Sequence, residues 1–185
     1  FSFLKRNFLI TFHPETLKKD RSSIQFKNLL KALNSFSDTN FIFTMPNSDT
    51  GGRVIFDMIN NFVKINPQNA ISFVSVGQKN YLSIMKQVDL VIGNSSSGII
   101  EAPFFKIPTI NLGDRQKGRI QGQTVINSVI ESDSIVNSIN IGLSDEFKNK
   151  IKNSQNPYGN QNASEKILDV LSKVNLKQSQ DKFEL

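Results

Sequence analysis

The run Gly93–Gly98, with the sequence GNSSSG, consists of small and polar residues between an apolar stretch and a predicted helix that begins at Ser97. Small residues allow a phosphate to approach the backbone. The hydroxyls of Ser95, Ser96 and Ser97, together with the free amides of a helix N-terminus, would then donate hydrogen bonds to it. A serine-rich helix cap has the same composition, so this segment alone leaves phosphate binding and simple capping open.

Two further segments carry groups suited to an anionic or hydroxylated ligand. Glu101 stands one turn into the predicted helix, where a carboxylate can accept hydrogen bonds from two vicinal ribose hydroxyls; an exposed first-turn glutamate is the plain alternative. The segment GDRQKGR places Arg115, Lys117 and Arg119 after a predicted buried strand. Arginine offers a fork of donors to phosphate or carboxylate, although a solvated basic loop has the same composition.

His13 is the single histidine of the chain and directly follows the first apolar run. Because His13 lies at the carboxyl end of a predicted strand, a functional role for it is as reasonable as a structural one. The turn-rich loop Asn47–Gly52 contains Asn47 and Asp49 and leads into a helix; taken alone, it favours a turn with an N-cap. One histidine, no cysteine and scattered carboxylates form no ligand cluster, so the sequence predicts neither a metal site nor a cofactor.

Short apolar runs and amphipathic stretches alternate along the chain and must position these groups. Five strands and a candidate sixth are predicted, at Phe8–Phe12, Asn40–Met45, Ala70–Val76, Asp89–Gly93, Thr109–Leu112 and Thr124–Ile126. Strands that alternate with helices through short connections predict an α/β fold, a parallel sheet with helices on both faces. Ligands bind beyond the carboxyl ends of strands in such sheets, and the segments singled out above follow strands.

Apolar residues at helical spacing predict the helices between these strands. The first helix is predicted to start with a capping box at Ser22 and Gln25, and the second contains Ile55–Val63. A short helix is predicted at Asn80–Val88. The last part of the chain is mainly helical, with one apolar face formed by Ile167, Leu168, Leu171 and Val174. We expect one domain over residues 1–176 and a frayed polar tail over residues 177–185.

Composition limits the class of protein. A chain of 185 residues is long enough for one domain with a real core. No apolar run approaches the ~18 residues of a transmembrane helix, so no membrane partner is expected. The lack of cysteine excludes a disulfide framework and fits a cytoplasmic protein. The net charge of +6 suits an anionic ligand, but the basic residues are scattered and nothing resembles a nucleic-acid-binding module.

Five segments taken in order resemble the UDP-N-acetylglucosamine 2-epimerase family: Leu9–Thr16, Pro46–Ile55, Gly93–Pro103, Ile107–Arg119 and Asn156–Ile167. The third and fourth are the specific ones, and they resemble the hydrolysing branch, which feeds sialic acid and related nonulosonic acid pathways. The non-hydrolysing branch typically has DSGG followed by QEEAP where this chain has NSSSGIIEAP. The family has two Rossmann-like domains arranged as in B-type glycosyltransferases. The resemblance covers only the second of them and implies that the N-terminal catalytic half is absent from this chain.

The resemblance also implies a reaction: the sugar C2 proton of UDP-N-acetylglucosamine is removed, UDP leaves by anti-elimination, and water adds to the resulting 2-acetamidoglucal to give N-acetylmannosamine. It implies UDP as the ligand, the N-terminal domain as a partner and a homo-oligomer for the full-length enzyme. The implied site residues are Ser95, Ser96 and Ser97 at the diphosphate, Glu101 at the ribose, Arg115 and Arg119 at the phosphates, His13 near the diphosphate as a candidate catalytic residue, and Asn47 and Asp49 along the cleft.

One position departs from the family pattern, because Gln161 stands where a glycine is usual, which would strain a turn that needs positive φ. Several alternatives remain open beside the hydrolysing epimerase. They are a non-hydrolysing epimerase, a UDP-diacetamido-sugar epimerase, the donor domain of a B-type glycosyltransferase and a non-catalytic nucleotide-binding fragment. The segment GDRQKGR argues against the glycosyltransferase.

Overall fold

The computed structural model describes residues 4–14, 19–46, 51–159 and 162–174. Within them, six strands form one sheet in the order β3-β2-β1-β4-β5-β6, with every neighbouring pair parallel. The strands are β1 Arg6–Thr11, β2 Thr39–Thr44, β3 Ala70–Phe73, β4 Leu90–Gly93, β5 Thr109–Leu112 and β6 Val125–Ser128. The strand order reverses between β1 and β4, which places a topological switch point at their carboxyl ends. The predicted parallel α/β sheet is confirmed.

Helices connect the strands and follow the last one. The described part of the chain contains α1 Lys19–Leu33, α2 Gly52–Ile65, α3 Gly77–Met85, α4 Ser97–Ile100, α5 Ser132–Leu143, α6 Asp145–Ile151 and α7 Ala163–Lys173. A 3-10 turn at Ala102–Phe105 continues the chain after α4.

Two apolar clusters lie on opposite faces of the sheet. Phe8 and Ile10 of β1 belong to the cluster that α1, α2 and α5 complete. Leu9, between them, belongs to the other cluster, together with Met85 of α3 and Ala102. Because both faces of β1 are covered, the strand has no polar alternation, and it appears in the sequence as a continuous apolar run.

Some local predictions were wrong. Helix α1 already begins at Lys19, so Ser22 and Gln25 lie inside the helix and do not form its capping box. Strand β3 ends at Phe73 instead of Val76, because α3 begins at Gly77 and the residues between them form the connection. The predicted helix that begins at Ser97 is confirmed; it has four residues and continues as the 3-10 turn, since Pro103 has no amide hydrogen for an α-helical bond.

Candidate functional site

Asn94, directly after β4, joins the carboxyl ends of three strands. Its side chain is fully buried; Oδ1 accepts from the His13 amide at 2.7 Å and Nδ2 donates to the His13 carbonyl at 2.8 Å. Its own carbonyl oxygen accepts from Arg115 Nη1 at 2.9 Å and from Gln116 Nε2 at 2.8 Å. The chain segments that follow β1, β4 and β5 are therefore fixed to one another at the switch point.

Gly93 makes the sharp exit from β4 possible. Its φ is +139°, in the region that favours glycine, and a Cβ atom at this position would collide with the carbonyl oxygen of Thr11 in β1. That same carbonyl accepts from the Asn94 amide at 3.2 Å. The close approach of β4 to β1 directs the chain straight from the strand into the serine segment.

The serine hydroxyls after Asn94 form a connected group. Ser97 Oγ lies 3.1 Å from Ser95 Oγ and 2.7 Å from the hydroxyl of Tyr81 in α3. Ser95, Ser96 and Ser97 are all half-buried. Burial raises the pKa of the Tyr81 hydroxyl, and its hydrogen bonds to Ser97 and Thr11 act in the opposite direction. Tyr81 therefore stays protonated at neutral pH, so its hydroxyl can either donate to Ser97 or accept from it.

Glu101 follows α4, one turn after Ser97, and its amide donates to the Ser97 carbonyl at 2.9 Å. Its Oε2 atom is buried and has no hydrogen-bond partner in the part of the chain that the structure describes. A buried carboxylate oxygen without a donor is costly. A cavity of about 290 Å³ adjoins this carboxylate and is lined also by Leu82, Phe104 and Tyr158. A ligand that brings hydroxyl groups into this cavity would supply the missing donors.

A second cavity of about 290 Å³ lies between the ends of β1, β2 and β3. It is lined by Thr11, His13, Thr44, Gly77 and Tyr81, among others. Tyr81 thus belongs both to this cavity and, through its hydroxyl, to the serine group. The structure brings His13, the serine segment and Tyr81 together at one edge of the sheet.

The remaining candidate residues differ in their positions. Arg115 is held at this edge by its bond to the Asn94 carbonyl. Arg119 is exposed, and its side chain makes no hydrogen bond within the described residues; only its amide bonds, to Gln116, at 3.2 Å. Asn47 and Asp49 lie outside the described residues, as does Gln161.

Within the described residues, no three His, Cys, Asp or Glu side chains come together in a group that could hold a metal ion. No helix in these ranges is long and apolar enough to cross a membrane.

The family model described as UDP-N-acetylglucosamine 2-epimerase matches residues 3–172 of the chain. The protein belongs to this family. Over 163 residues, the chain is 42% identical to the polysialic acid biosynthesis protein P7 of Escherichia coli, covering 88% of this chain and 41% of that protein. Over 126 residues, it is 45% identical to the GDP/UDP-N,N'-diacetylbacillosamine 2-epimerase (hydrolyzing) of Campylobacter jejuni, covering 68% of this chain and 33% of that protein. This UDP-N-acetylglucosamine 2-epimerase family member therefore spans less than half the length of these curated relatives.

Solved structures of the family share the fold. The UDP-GlcNAc 2-epimerase of Neisseria meningitidis, bound to UDP-GlcNAc, superimposes with a TM-score of 0.67 at 20% identity, covering 94% of this chain and 46% of that one. The enzyme of Methanocaldococcus jannaschii, in complex with UDP-GlcNAc and UDP, gives a TM-score of 0.69 at 19% identity, covering 91% and 46%. The predicted Rossmann-like fold is confirmed, and it corresponds to one half of the two-domain, B-type glycosyltransferase architecture of these 2-epimerases.

Proposed function

We propose that this chain is the UDP-binding half of a hydrolysing UDP-N-acetylglucosamine 2-epimerase, which converts UDP-N-acetylglucosamine and water to N-acetylmannosamine and UDP. The observation that carries the proposal is the buried Oε2 atom of Glu101, which has no hydrogen-bond partner among the described residues and belongs to a residue one helical turn after Ser97. Relatives at 42% and 45% identity support the hydrolysing class, because one acts in polysialic acid biosynthesis and the other is named a hydrolysing epimerase.

The binding mode follows from the spacing of donors and acceptors. Ser97 and Glu101 are four residues apart, about 6 Å along a helix axis. Ser95, Ser96 and Ser97 would donate to the diphosphate, while Glu101 would accept from the ribose hydroxyls beside it. A single short segment thus offers donors to the phosphate oxygens and an acceptor to the sugar of the same nucleotide.

Arg115 would stabilise the charge that develops on the diphosphate as UDP leaves. One of its guanidinium N–H groups is used by the Asn94 carbonyl, at 2.9 Å, which holds the fork in place and leaves its other donors for phosphate oxygens. Because these donors are already in position before the reaction, they do not have to reorganise when negative charge develops on the diphosphate. The exposed Arg119 would add positive charge, and His13 would lie near the diphosphate. Asn47 and Asp49 remain predicted cleft residues.

The steps at C2 belong, in this proposal, to a first half of the parent enzyme. The apolar face of α7 supports such a partner domain. Ile167, Leu168, Val170 and Leu171 are 58–66% exposed, a clustered apolar surface of a kind that usually marks a contact. We propose that the N-terminal domain covers this face. We also propose that the domain ends at residue 176, that the parent enzyme is a homo-oligomer and that it is located in the cytoplasm.

Product analysis with the full-length parent enzyme tests the function. With UDP-N-acetylglucosamine, proton NMR should show free N-acetylmannosamine and UDP in equal amounts. If the product is UDP-N-acetylmannosamine, the enzyme is instead a non-hydrolysing epimerase. Transfer of the sugar to an acceptor would indicate a glycosyltransferase. Binding without turnover would indicate a non-catalytic protein.

A UDP-diacetamido sugar is a second candidate substrate, because the Campylobacter jejuni relative at 45% identity is named for N,N'-diacetylbacillosamine. Comparison of kcat/KM for the two UDP sugars decides between them. A higher kcat/KM for UDP-N,N'-diacetylbacillosamine would make it the preferred substrate in place of UDP-N-acetylglucosamine. The proposed UDP site would be the same for both sugars.

A further inference from the structure

A polar cavity of about 590 Å³ lies at the carboxyl ends of β5 and β6, and the proposed reaction makes no use of it. It has about twice the volume of the cavity beside His13 or of the cavity beside Glu101. Arg21 and Gln25 of α1 form one wall, and the connections after β5 and β6 form the others. Asn28 Nδ2 donates to the Ile130 carbonyl at 2.9 Å, which ties α1 to the connection after β6 and holds the walls together.

Two buried amide groups at this cavity are not fully satisfied. Asn111 is only 2% exposed, and its Nδ2 donates to Asn127 Oδ1 at 2.7 Å. Asn127 Nδ2 donates in turn to Gln121 Oε1 at 2.8 Å. Asn111 Oδ1 and Gln25 Oε1 are both buried, and neither finds a donor among the described residues. Buried polar atoms almost always have a partner, so a ligand with hydrogen-bond donors would satisfy these two acceptors.

The charges around the cavity indicate a neutral ligand. Two cations, Arg21 and Lys117, and two anions, Asp114 and Glu131, line it together. Opposite charges in equal number do not select a nucleotide or another strongly charged molecule. Val129, which is 61% exposed, adds an apolar wall suited to the C–H face of a sugar ring.

We propose that this cavity is a second ligand site, for an uncharged, polyhydroxylated molecule of monosaccharide size that donates to Asn111 Oδ1 and Gln25 Oε1. The connection after β5 separates it from the diphosphate site. Gln116 and Arg115 face the Asn94 carbonyl, whereas Asp114 and Lys117 line the cavity. The choice of ligand rests on the proposed function, because the N-acetylmannosamine that the proposed reaction releases is an uncharged, polyhydroxylated monosaccharide.

The test is a titration of the 185-residue chain with N-acetylmannosamine, without UDP and with saturating UDP, followed by ¹H–¹⁵N NMR. We expect saturable shifts of the side-chain amide signals of Gln25, Asn111 and Asn127 in both titrations. The variant Gln25→Met keeps the length of the side chain and removes its acceptor. It should weaken sugar binding by about fivefold, as expected for one lost hydrogen bond, and leave UDP affinity unchanged.

The control variant is Gln87→Met, because this exposed glutamine follows α3 and does not line the cavity. It should change neither affinity, and thermal melting should show that both variants fold. Competition between the sugar and UDP, absence of saturable binding, or equal sugar affinity in Gln25→Met and the unchanged chain would each overturn the proposal. UDP binding without sugar binding would leave the proposed function intact, whereas sugar binding at Gln25 without UDP binding would contradict only the proposed function.

Discussion

The hydroxyl of Tyr81 lies 2.7 Å from Ser97 Oγ, which itself lies 3.1 Å from Ser95 Oγ. Tyr81 also lines the cavity that contains His13. A tyrosine on α3 therefore sets the orientation of a serine on α4, so the two sides of the switch point are connected through hydroxyl groups.

Replacing Tyr81 with phenylalanine should weaken UDP binding by about three- to tenfold, because Ser97 loses the partner that orients its hydroxyl. Calorimetry with UDP and with uridine measures the effect. The loss should be larger for UDP, since uridine has no phosphate for Ser97 to contact. Equal losses for both ligands would mean that Tyr81 acts on the nucleoside alone.

Glu101→Gln should weaken UDP binding by about 1.5–3 kcal/mol, the usual range for a hydrogen bond to a charged group. Inorganic pyrophosphate should bind the variant almost as well as it binds the unchanged chain, because it has no ribose. Thermal stability should change little, since glutamine keeps the shape of the side chain and the Oε2 atom has no described partner to lose. If calorimetry gives the same loss for both ligands, Glu101 does not contact the ribose.

Arg115→Ala in the full-length parent enzyme should lower kcat as well as kcat/KM, because its guanidinium would stabilise charge that develops on the departing diphosphate. Arg115→Lys should restore only part of the rate, since lysine lacks the bidentate fork. Steady-state kinetics measure both effects. The melting temperature should fall only slightly, from the loss of one partly buried hydrogen bond to Asn94.

Lys148→Ala is the matched control for the Arg115 variants, because it removes one positive charge from the exposed face of α6. It should leave the kinetics unchanged. Normal turnover by Arg115→Ala would remove this residue from the site, and a collapsed melting temperature would make its role structural.

Gly93→Ala should destabilise the fold by about 2–4 kcal/mol or prevent folding, because the new methyl group collides with the Thr11 carbonyl at a φ of +139°. Gly118→Ala is the control, with a φ of +84° and no described atom within 4 Å of the added Cβ. It should cost only about 1 kcal/mol of left-handed strain. Chemical denaturation compares the two, and equal costs would show that β4 and β1 can move apart.

The 185-residue chain alone should bind UDP weakly and form no product from UDP-N-acetylglucosamine, since the groups that act at C2 would come from the other half of the enzyme. Calorimetry and an assay for released UDP measure these two properties. Robust turnover by the purified chain would place the complete active site within these residues.

The sheet was largely predictable because strands covered on both faces form continuous apolar runs, as Phe8–Phe12 does, and Thr109–Leu112 was predicted with its observed bounds. The end of β3 was not predictable, because Val74 and Val76 continue a strand-like pattern although α3 begins at Gly77. Local propensity does not determine where the chain must turn to start the next helix.

The serine segment, Glu101 and Arg115 could be named as candidate site residues from the sequence, because their residue types and their positions after strands are typical of ligand contacts. Asn94, Gln116 and Tyr81 carry no comparable signal. The hydrogen bonds between Asn94 and His13 join residues 81 positions apart, and no periodic pattern in the sequence indicates such a pair. Buried polar side chains next to a motif are the feature that could have suggested them.

Asn94 also has a consequence for exchanging loops of this chain in protein engineering. Its side chain forms hydrogen bonds with the His13 backbone after β1. Its carbonyl oxygen accepts hydrogen bonds from the side chains of Arg115 and Gln116 after β5. A chimera in which a segment without an asparagine at position 94 replaces GNSSSG would lose the bonds to the His13 backbone. The three segments, although far apart in the gene, form a single transplantable module.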